Sequence, residues 1–395
     1  MPPKRNNNGE TKANSSQKSS RKILVTAGEG QTGRLIIELL TTDEEYNTKY
    51  AELTALVFSE QAKSTLDEFD TVQTVVFDPK DEESLVKAMS EVDTCLLIPP
   101  AHKDKAKITR TLLQAAKKAK TVQNLVLLSS AGADYAERDT QPRLREFIDL
   151  EALAMQPKGN PSTGDTGHSP CVIRAGFYAE NLLLYSKQAQ GEGKLPLPIG
   201  ENHKFAPVAL GDVAQIVAYV VTSEGPHGLA DHVRSQVIVA TGPQLVAGPE
   251  LAVAASQALG TKMEFESIDE AMAKKILSSE QGEEVDEAER EYLLEYYSLV
   301  REGKTNYTAT TAMLAFFGHR GQEPTEFFQT YSFKPKKRRT TKNAGSEGAQ
   351  PKTATRSSGR GKATKGGDDD VDVEMDAGDA GATVEKGRRT VTKGL

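Results

Sequence analysis

The segment Ile23-Leu24-Val25-Thr26-Ala27-Gly28-Glu29-Gly30-Gln31-Thr32-Gly33 constrains the fold more than any other stretch of the chain. Apolar Ile23, Leu24 and Val25 lead into a glycine-rich turn, and Leu35, Ile36, Leu39 and Leu40 follow at helical spacing. A buried strand, a tight turn and an amphipathic helix, in that order, bring a dinucleotide pyrophosphate onto a helix N-terminus, where free amides and the helix dipole favour an anion. Gly28, Gly30 and Gly33 give the spacing G-x-G-x-x-G: a tight turn, room for phosphate, and close packing of helix on strand. A plain glycine turn between strand and helix would satisfy the same pattern, so the flanking periodicity is what favours nucleotide binding. Glu29 places a carboxylate inside that turn, tolerable beside an anion only if its side chain points to solvent.

The pattern continues along the chain. Strands are expected at 53–58, 72–77, 94–98, 125–128, 171–174, 237–242 and 263–268. Between them, helical periodicity marks 61–69, 82–89 behind an Asp81 cap, 105–120, 143–155, 177–189 and 213–222 behind an Asp212 cap. A further helix opens at Gly248-Pro249-Glu250, and two charged helices fill much of 269–300. Tyr292, Leu293, Tyr296 and Tyr297 form a stripe there that reads as core. Strands alternating with helices argue an α/β fold built on a doubly wound parallel sheet. The segment 156–170, rich in Gly, Pro, Ser and Thr, reads as a surface insertion.

Charge divides the chain into three. Residues 1–22 carry six Lys or Arg against one acid, and residues 334–395 carry fifteen against nine. With a net charge of −7 for the whole chain, the body from 23 to 333 stands at −18. A body that acidic repels a phosphate backbone, so direct DNA binding by it is not expected. Both polar, basic ends bury too little apolar surface to stay ordered and are expected to be disordered. Just past the body, Lys334, Lys336, Lys337, Arg338 and Arg339 make a compact basic run of the kind a nuclear importer reads, although such runs also serve as plain solvated charge. The expected localisation is nucleus and cytoplasm. Cys95 and Cys171, the only two cysteines, sit in apolar strand-like runs and are read as buried thiols in a reducing compartment. No secretory signal, membrane span or zinc-ligand spacing is present, so a soluble intracellular protein without a metal is expected.

The order of motifs resembles the NmrA-like group of atypical short-chain dehydrogenases over residues 23–333. Val25 to Gly33 is similar to that family's V-T-G-A-T-G-x-x-G opening, with Ala27 where the family has its first glycine. Leu97-Ile98-Pro99-Pro100, Leu127-Leu128-Ser129-Ser130-Ala131, Gly211-Asp212-Val213-Ala214 and Thr241-Gly242-Pro243 fit in order, and Ile173-Arg174-Ala175-Gly176-Phe177-Tyr178-Ala179-Glu180-Asn181 is the most specific match. The resemblance implies a nucleotide part over 23–170, a smaller α/β substrate lobe over 171–333, and a cleft between them. It implies a nicotinamide dinucleotide as cofactor, held by Ala27, Gly28, Gly30, Gln31, Thr32, Gly33, Phe58, Asp78, Pro99 and Ser129. Arg174, Phe177, Glu180 and Asn181 would line the substrate cleft. Two of these have ordinary alternatives: Arg174 pairing with a carboxylate, and Phe177 lying in the core. Asp78 serves equally well as a turn residue.

Cofactor choice turns on the end of the second strand. Many relatives carry an arginine there for the 2'-phosphate of NADP; here the run is Ala55-Leu56-Val57-Phe58, which tilts the expectation slightly toward NAD while leaving NADP open through Lys63. The Tyr-x-x-x-Lys pair of the wider superfamily, in which lysine lowers the tyrosine pKa, is missing. The corresponding helix reads Arg143-Leu-Arg145-Glu146-Phe147-Ile-Asp149-Leu-Glu151, with Phe147 where some relatives have histidine. No catalytic residue is assigned. The leading expectation is a redox-responsive regulator that binds a dinucleotide and a protein partner of the transcription-factor class. An NAD(P)H-dependent reductase of quinone-like acceptors is the alternative, since hydride transfer to a quinone needs positioning more than acid catalysis. A tail-driven chromatin or nucleic-acid binding module is the third. Oligomeric state is open.

Overall fold

The computed structural model describes residues 19–156, 168–279 and 286–331. Strand β1 (Lys22–Val25) pairs in parallel with β2 (Glu52–Val57) on one side and with β4 (Thr94–Leu97) on the other, Ile23 standing opposite both Leu53 and Thr94. β3 (Val72–Val76) lies outside β2, and β5 (Asn124–Ser130), β6 (Ser169–Ala175) and β8 (Val237–Ala240) extend the other edge. The result is a seven-stranded sheet of order β3-β2-β1-β4-β5-β6-β8, parallel throughout. The central strands are continuous apolar runs because helices cover both faces. Where the chain returns from β3 past β1 to begin β4, the helices diverge to opposite faces and leave a crevice outside the carboxyl ends of β1 and β4.

One face is covered by α1 (Gln31–Thr42) and α7 (Leu210–Thr222), which press Ile36, Ile37 and Leu40 against Val213, Ile216, Val217 and Val220. The other face carries α3 (Glu82–Ala88), α4 (Lys105–Lys118) and α5 (Pro142–Met155). Asp81 caps α3 as expected, accepting from Ser84 N at 3.0 Å. A third apolar cluster is built almost wholly from residues after 170 and centres on Phe177, Tyr185, Phe205, Leu293 and Tyr297. It is framed by α6 (Ser186–Glu192), α8 (Gly248–Leu259), α9 (Glu270–Leu277), α10 (Glu287–Arg301) and α12 (Pro324–Thr330), with a two-stranded parallel sheet of β7 (Lys194–Leu197) and β9 (Glu264–Ser267). Cys95 and Cys171 are buried and outside any disulfide, and burial pushes Cys171 up to about 12, which makes it inert. Among the described residues no helix is long and apolar enough to cross a membrane.

Several elements depart from the sequence expectation. The 61–69 helix shrinks to α2 (Glu60–Ser64), because the Ser64 and Thr65 hydroxyls donate back to Gln61 O and Ala62 O and end the helix. The 177–189 helix becomes a 3-10 helix (Ala179–Tyr185) followed by α6. Leu182, Leu183, Leu184 and Tyr185 are all buried along it. β7 and a short α11 (Thr311–Phe317) were not foreseen. Most of the surface insertion at 156–170, the N-terminal 18 residues and the basic run of Lys334, Lys336, Lys337, Arg338 and Arg339 lie outside the described residues.

Candidate functional site

The glycine turn sits at the crevice. Thr26 ties the carboxyl ends of β1 and β4 together, donating through Oγ1 to Ile98 O at 3.1 Å and accepting from Ile98 N at 2.8 Å. Ala27 adopts φ +49°, a left-handed conformation that costs a residue with a Cβ about 1–2 kcal/mol. The turn is pinned by Gly28 N donating to Leu56 O and Gly30 N donating to Ala27 O, both at 3.1 Å. Gly33 lies so close to the turn that a Cβ there would stand 2.3 Å from Ala27 O. Gly30 is the N-cap of α1 and offers no capping side chain, and the first turn of the helix carries no acid. The amides of Gly28 and Gly30 are thus already committed, and the uncapped first turn, with exposed Gln31 and half-buried Thr32, is what an anion would meet. A pyrophosphate fits this cradle. Thr32 acts on the Tyr178 hydroxyl, so the chain after β6 lies near the helix end. Pro99, half-buried just past β4, borders the same crevice.

At the end of β2 the Glu29 side chain does not point to solvent. It turns back, and Oε1 accepts from Phe58 N at 3.1 Å while Oε2 has no hydrogen-bond partner. Burial pushes its carboxyl above the usual carboxylate range. The Phe58 ring packs on Phe77, centroids 4.8 Å apart, and is only partly available as a stacking face. Asp78 is exposed and closes an Asx turn through Lys80 N at 2.9 Å, the turn role.

At the ends of β5 and β6 the charges are paired. Arg174 bonds Glu151 through Nε at 2.9 Å and through the guanidinium Nη2 at 2.7 Å, and its other nitrogen reaches Asp134 at 2.9 Å. Ser129 Oγ donates to the same Glu151 at 2.6 Å. The alternative reading of Arg174 is therefore the observed one: its charge is met by two carboxylates. Phe177 is likewise core, 2% exposed and packed edge-on against Phe205 at 5.3 Å and tilted against Tyr296 and Tyr297 at 5.4 Å, so it does not line an open cleft. Asn181 is half-buried in the 3-10 helix. One residue further along β5, Ser130 Oγ lies 2.9 Å from the Tyr292 hydroxyl of α10. Beneath them Lys105 is buried with its ammonium 4.0 Å above the Phe147 ring and 5.9 Å from that of Tyr292, donating to Arg143 O at 2.6 Å. Desolvation pulls Lys105 down to about 8. Past β5, half-exposed Tyr135 meets Tyr307, rings 6.4 Å apart.

The family model described as NmrA-like matches residues 19–313. The chain belongs to the NmrA-like family. It is similar to an NAD(P)H azoreductase of Xenophilus azovorans, 25% identical over 256 residues, which span 65% of this chain and 80% of that protein. In structure it is similar to an NADPH-dependent quinone oxidoreductase of Escherichia coli, with a TM-score of 0.61 and 22% identity over 79% of this chain and all of that one. It is also similar to NmrA, a negative transcriptional regulator in complex with NAD, with a TM-score of 0.59 and 14% identity over 79% of this chain and 95% of that one.

In this NmrA-like chain the glutamate of the Gly176-Phe177-Tyr178-Ala179-Glu180-Asn181 segment is structural. Glu180, 5% exposed, accepts from Leu210 N with both oxygens, at 3.1 and 3.0 Å, and from Tyr331 Oη at 3.2 Å. It serves the N-terminus of α7, a role expected of Asp212. Asp212 instead lies inside the first turn and accepts from Gln322 N at 2.7 Å, because α7 begins at Leu210 with Ala209 as its cap. Burial raises the Glu180 carboxyl to about 7. A carboxyl held above its unfolded value binds its proton more tightly in the folded state. Its contribution is therefore full below the ordinary range near 4.5 and declines as pH rises through about 7. Glu180→Gln keeps an acceptor for Leu210 N but cannot ionise. Urea melts should show the stability difference between variant and wild type shifting in the variant's favour between pH 5 and 8, by on the order of 2 kcal/mol. An identical pH slope in the two proteins would contradict this.

Proposed function

We propose that the protein binds a nicotinamide dinucleotide in the glycine cradle and reduces a flat, conjugated acceptor of the quinone or azo class. The cradle supports the first half, with an uncapped helix end at the switch point and a turn packed too tightly for side chains at Gly33. The dinucleotide, when bound, supplies a hydride. The Gln31 and Thr32 end of α1 would hold its pyrophosphate, and Ser129 and Ser130, which end β5, would lie on the nicotinamide side of the crevice.

The observation that carries the second half is the hydroxyl pair of Ser130 and Tyr292. The α5 helix that would hold Tyr-x-x-x-Lys offers Phe147, which has no polar hydrogen, and Glu151, which is committed to Ser129 and Arg174. Tyr292 brings a phenol to the same region from a different helix. Burial pushes it up to about 12, so at neutral pH it keeps its proton and donates a hydrogen bond to the acceptor atom as negative charge develops there. The faces of Tyr135 and Tyr307, reached from the loop after β5, suit a flat molecule. The names of the azoreductase and quinone oxidoreductase relatives favour the same reading.

The test is to titrate NAD, NADH, NADP and NADPH by calorimetry, then follow oxidation of any reduced form that binds with quinone and azo-dye panels. Tyr292→Phe should lower kcat roughly ten- to a hundred-fold and leave the dinucleotide Kd within about two-fold. Tight binding without turnover on any acceptor would exclude the reductase and leave a regulator whose ligand state is read by a protein partner.

A further inference from the structure

The geometry points to Glu29 as the residue that selects between the two dinucleotides: delivered from the glycine turn to the end of β2, its carboxylate receives the adenosine ribose hydroxyls of NAD and repels the 2'-phosphate of NADP. This rests on the dinucleotide binding proposed above. In a doubly wound sheet the end of the second strand lies against the adenosine ribose, and an acid there accepts from the ribose hydroxyls while a cation there takes a 2'-phosphate. The residues directly after β2 do not supply it, and the first acid beyond them, Glu60, is exposed in the first turn of α2. β2 ends at Val57, Phe58 turns its ring onto Phe77, and Ser59 is spent as the cap of α2, accepting from Ala62 N at 3.0 Å.

The acid arrives instead from the turn. Glu29 Oε1 is fixed at 3.1 Å from Phe58 N, and a carboxylate with one such bond retains acceptor sites for a ribose hydroxyl. That bond favours keeping the charge at the end of β2. The nearest guanidinium on α1 does not offset it. Arg34 pairs with Glu68 and Thr65 O and lies 5.5 Å over the Phe69 ring, so its charge is engaged elsewhere. A 2'-phosphate brought within about 5 Å of Glu29 meets like charge in a partly buried site, enough for a preference of at least ~ten-fold. Lys63, in the last turn of α2, is the alternative cation raised by the sequence.

Calorimetric titration of the full chain with NAD and with NADP decides the matter through binding alone. Wild type should bind NAD at least ~ten-fold more tightly. Glu29→Gln preserves size and the acceptor for Phe58 N but offers the ribose hydroxyls a neutral acceptor in place of a charged one, so NAD affinity should fall several-fold while NADP affinity rises, and the discrimination against NADP falls at least ~ten-fold. Phe58→Arg alone should gain little for NADP, because the new guanidinium would pair with Glu29; the double variant Glu29→Gln, Phe58→Arg should turn the preference over. A wild-type preference for NADP, or a ratio that Glu29→Gln moves by less than two-fold, overturns the assignment while leaving dinucleotide binding in place. Binding of neither dinucleotide would overturn both. A wild-type preference for NADP that disappears in Lys63→Ala would locate the 2'-phosphate at α2 instead.

Discussion

Gly30→Asp is expected to lower dinucleotide affinity at least about a hundred-fold and to leave the protein folded. Gly30 sits at φ −69°, ψ 157°, a conformation open to any residue, and a Cβ there meets nothing closer than Ala27 O at 3.4 Å. The new carboxylate would stand at the N-terminus of α1, satisfying the helix end itself and excluding the phosphate by volume and charge, a loss near 2.7 kcal/mol at a hundred-fold. Gly33→Asp is expected to do something different. Its Cβ would lie 2.3 Å from Ala27 O and 3.0 Å from Ala27 C and Gly28 Cα, all backbone of a turn already pinned to Leu56. The helix must lift off the strand, at a cost of roughly 3 kcal/mol or more. Calorimetry paired with thermal melts separates the two. A Gly30→Asp protein with wild-type affinity would show that the pyrophosphate does not sit on α1.

Glu151→Ala should be the most damaging of the substitutions away from the turn. Glu151 is 6% exposed and is the shared partner of Arg174 and Ser129, joining α5 to the ends of β5 and β6. Its removal leaves a guanidinium of 16% exposure with only Asp134, itself 41% exposed. Breaking a buried pair by deleting one partner typically costs 3–5 kcal/mol, and the remaining contact with Asp134 places the expected loss at about 3 kcal/mol. Denaturant unfolding measures it directly. Glu151→Gln, which keeps an acceptor for Ser129 Oγ, should lose less. If both variants melt with wild type, the Ser129–Glu151–Arg174 cluster contributes nothing to the fold and Arg174 is free to act on a ligand.

The parts of the site that were legible in advance are those in which cause and effect lie within a few residues. The strand, turn and helix from Ile23 to Leu40 are written in local periodicity and glycine spacing, and the structure places them as read. The alternation of strands and helices identified a parallel sheet because both-face burial makes the strands continuously apolar. Helix ends were less legible. Asp81 caps α3 with a bond to a residue three positions on, whereas α7 takes its cap from Glu180, thirty residues upstream, and Asp212 is spent on Gln322.

Side-chain direction was the hardest to read. The sequence made Glu29 tolerable beside an anion only with its side chain in solvent, yet the end of β2 offers it a backbone N–H, a partner that exists only once β1 and β2 are paired. Tyr292 belonged to a stripe that reads as core, and most of that stripe is core: Leu293, Tyr296 and Tyr297 are buried. Tyr292 alone turns its hydroxyl to Ser130, 162 residues away in the chain. The sequence by itself determined the sheet, the glycine cradle and the absence of a tyrosine–lysine pair on α5, because each follows from the order and spacing of neighbouring residues. Only the tertiary structure decided which acid meets the end of β2, which phenol stands at the end of β5, and whether Arg174 and Glu180 are free. Those outcomes depend on which polar groups, far apart in the chain, are buried together and must satisfy one another.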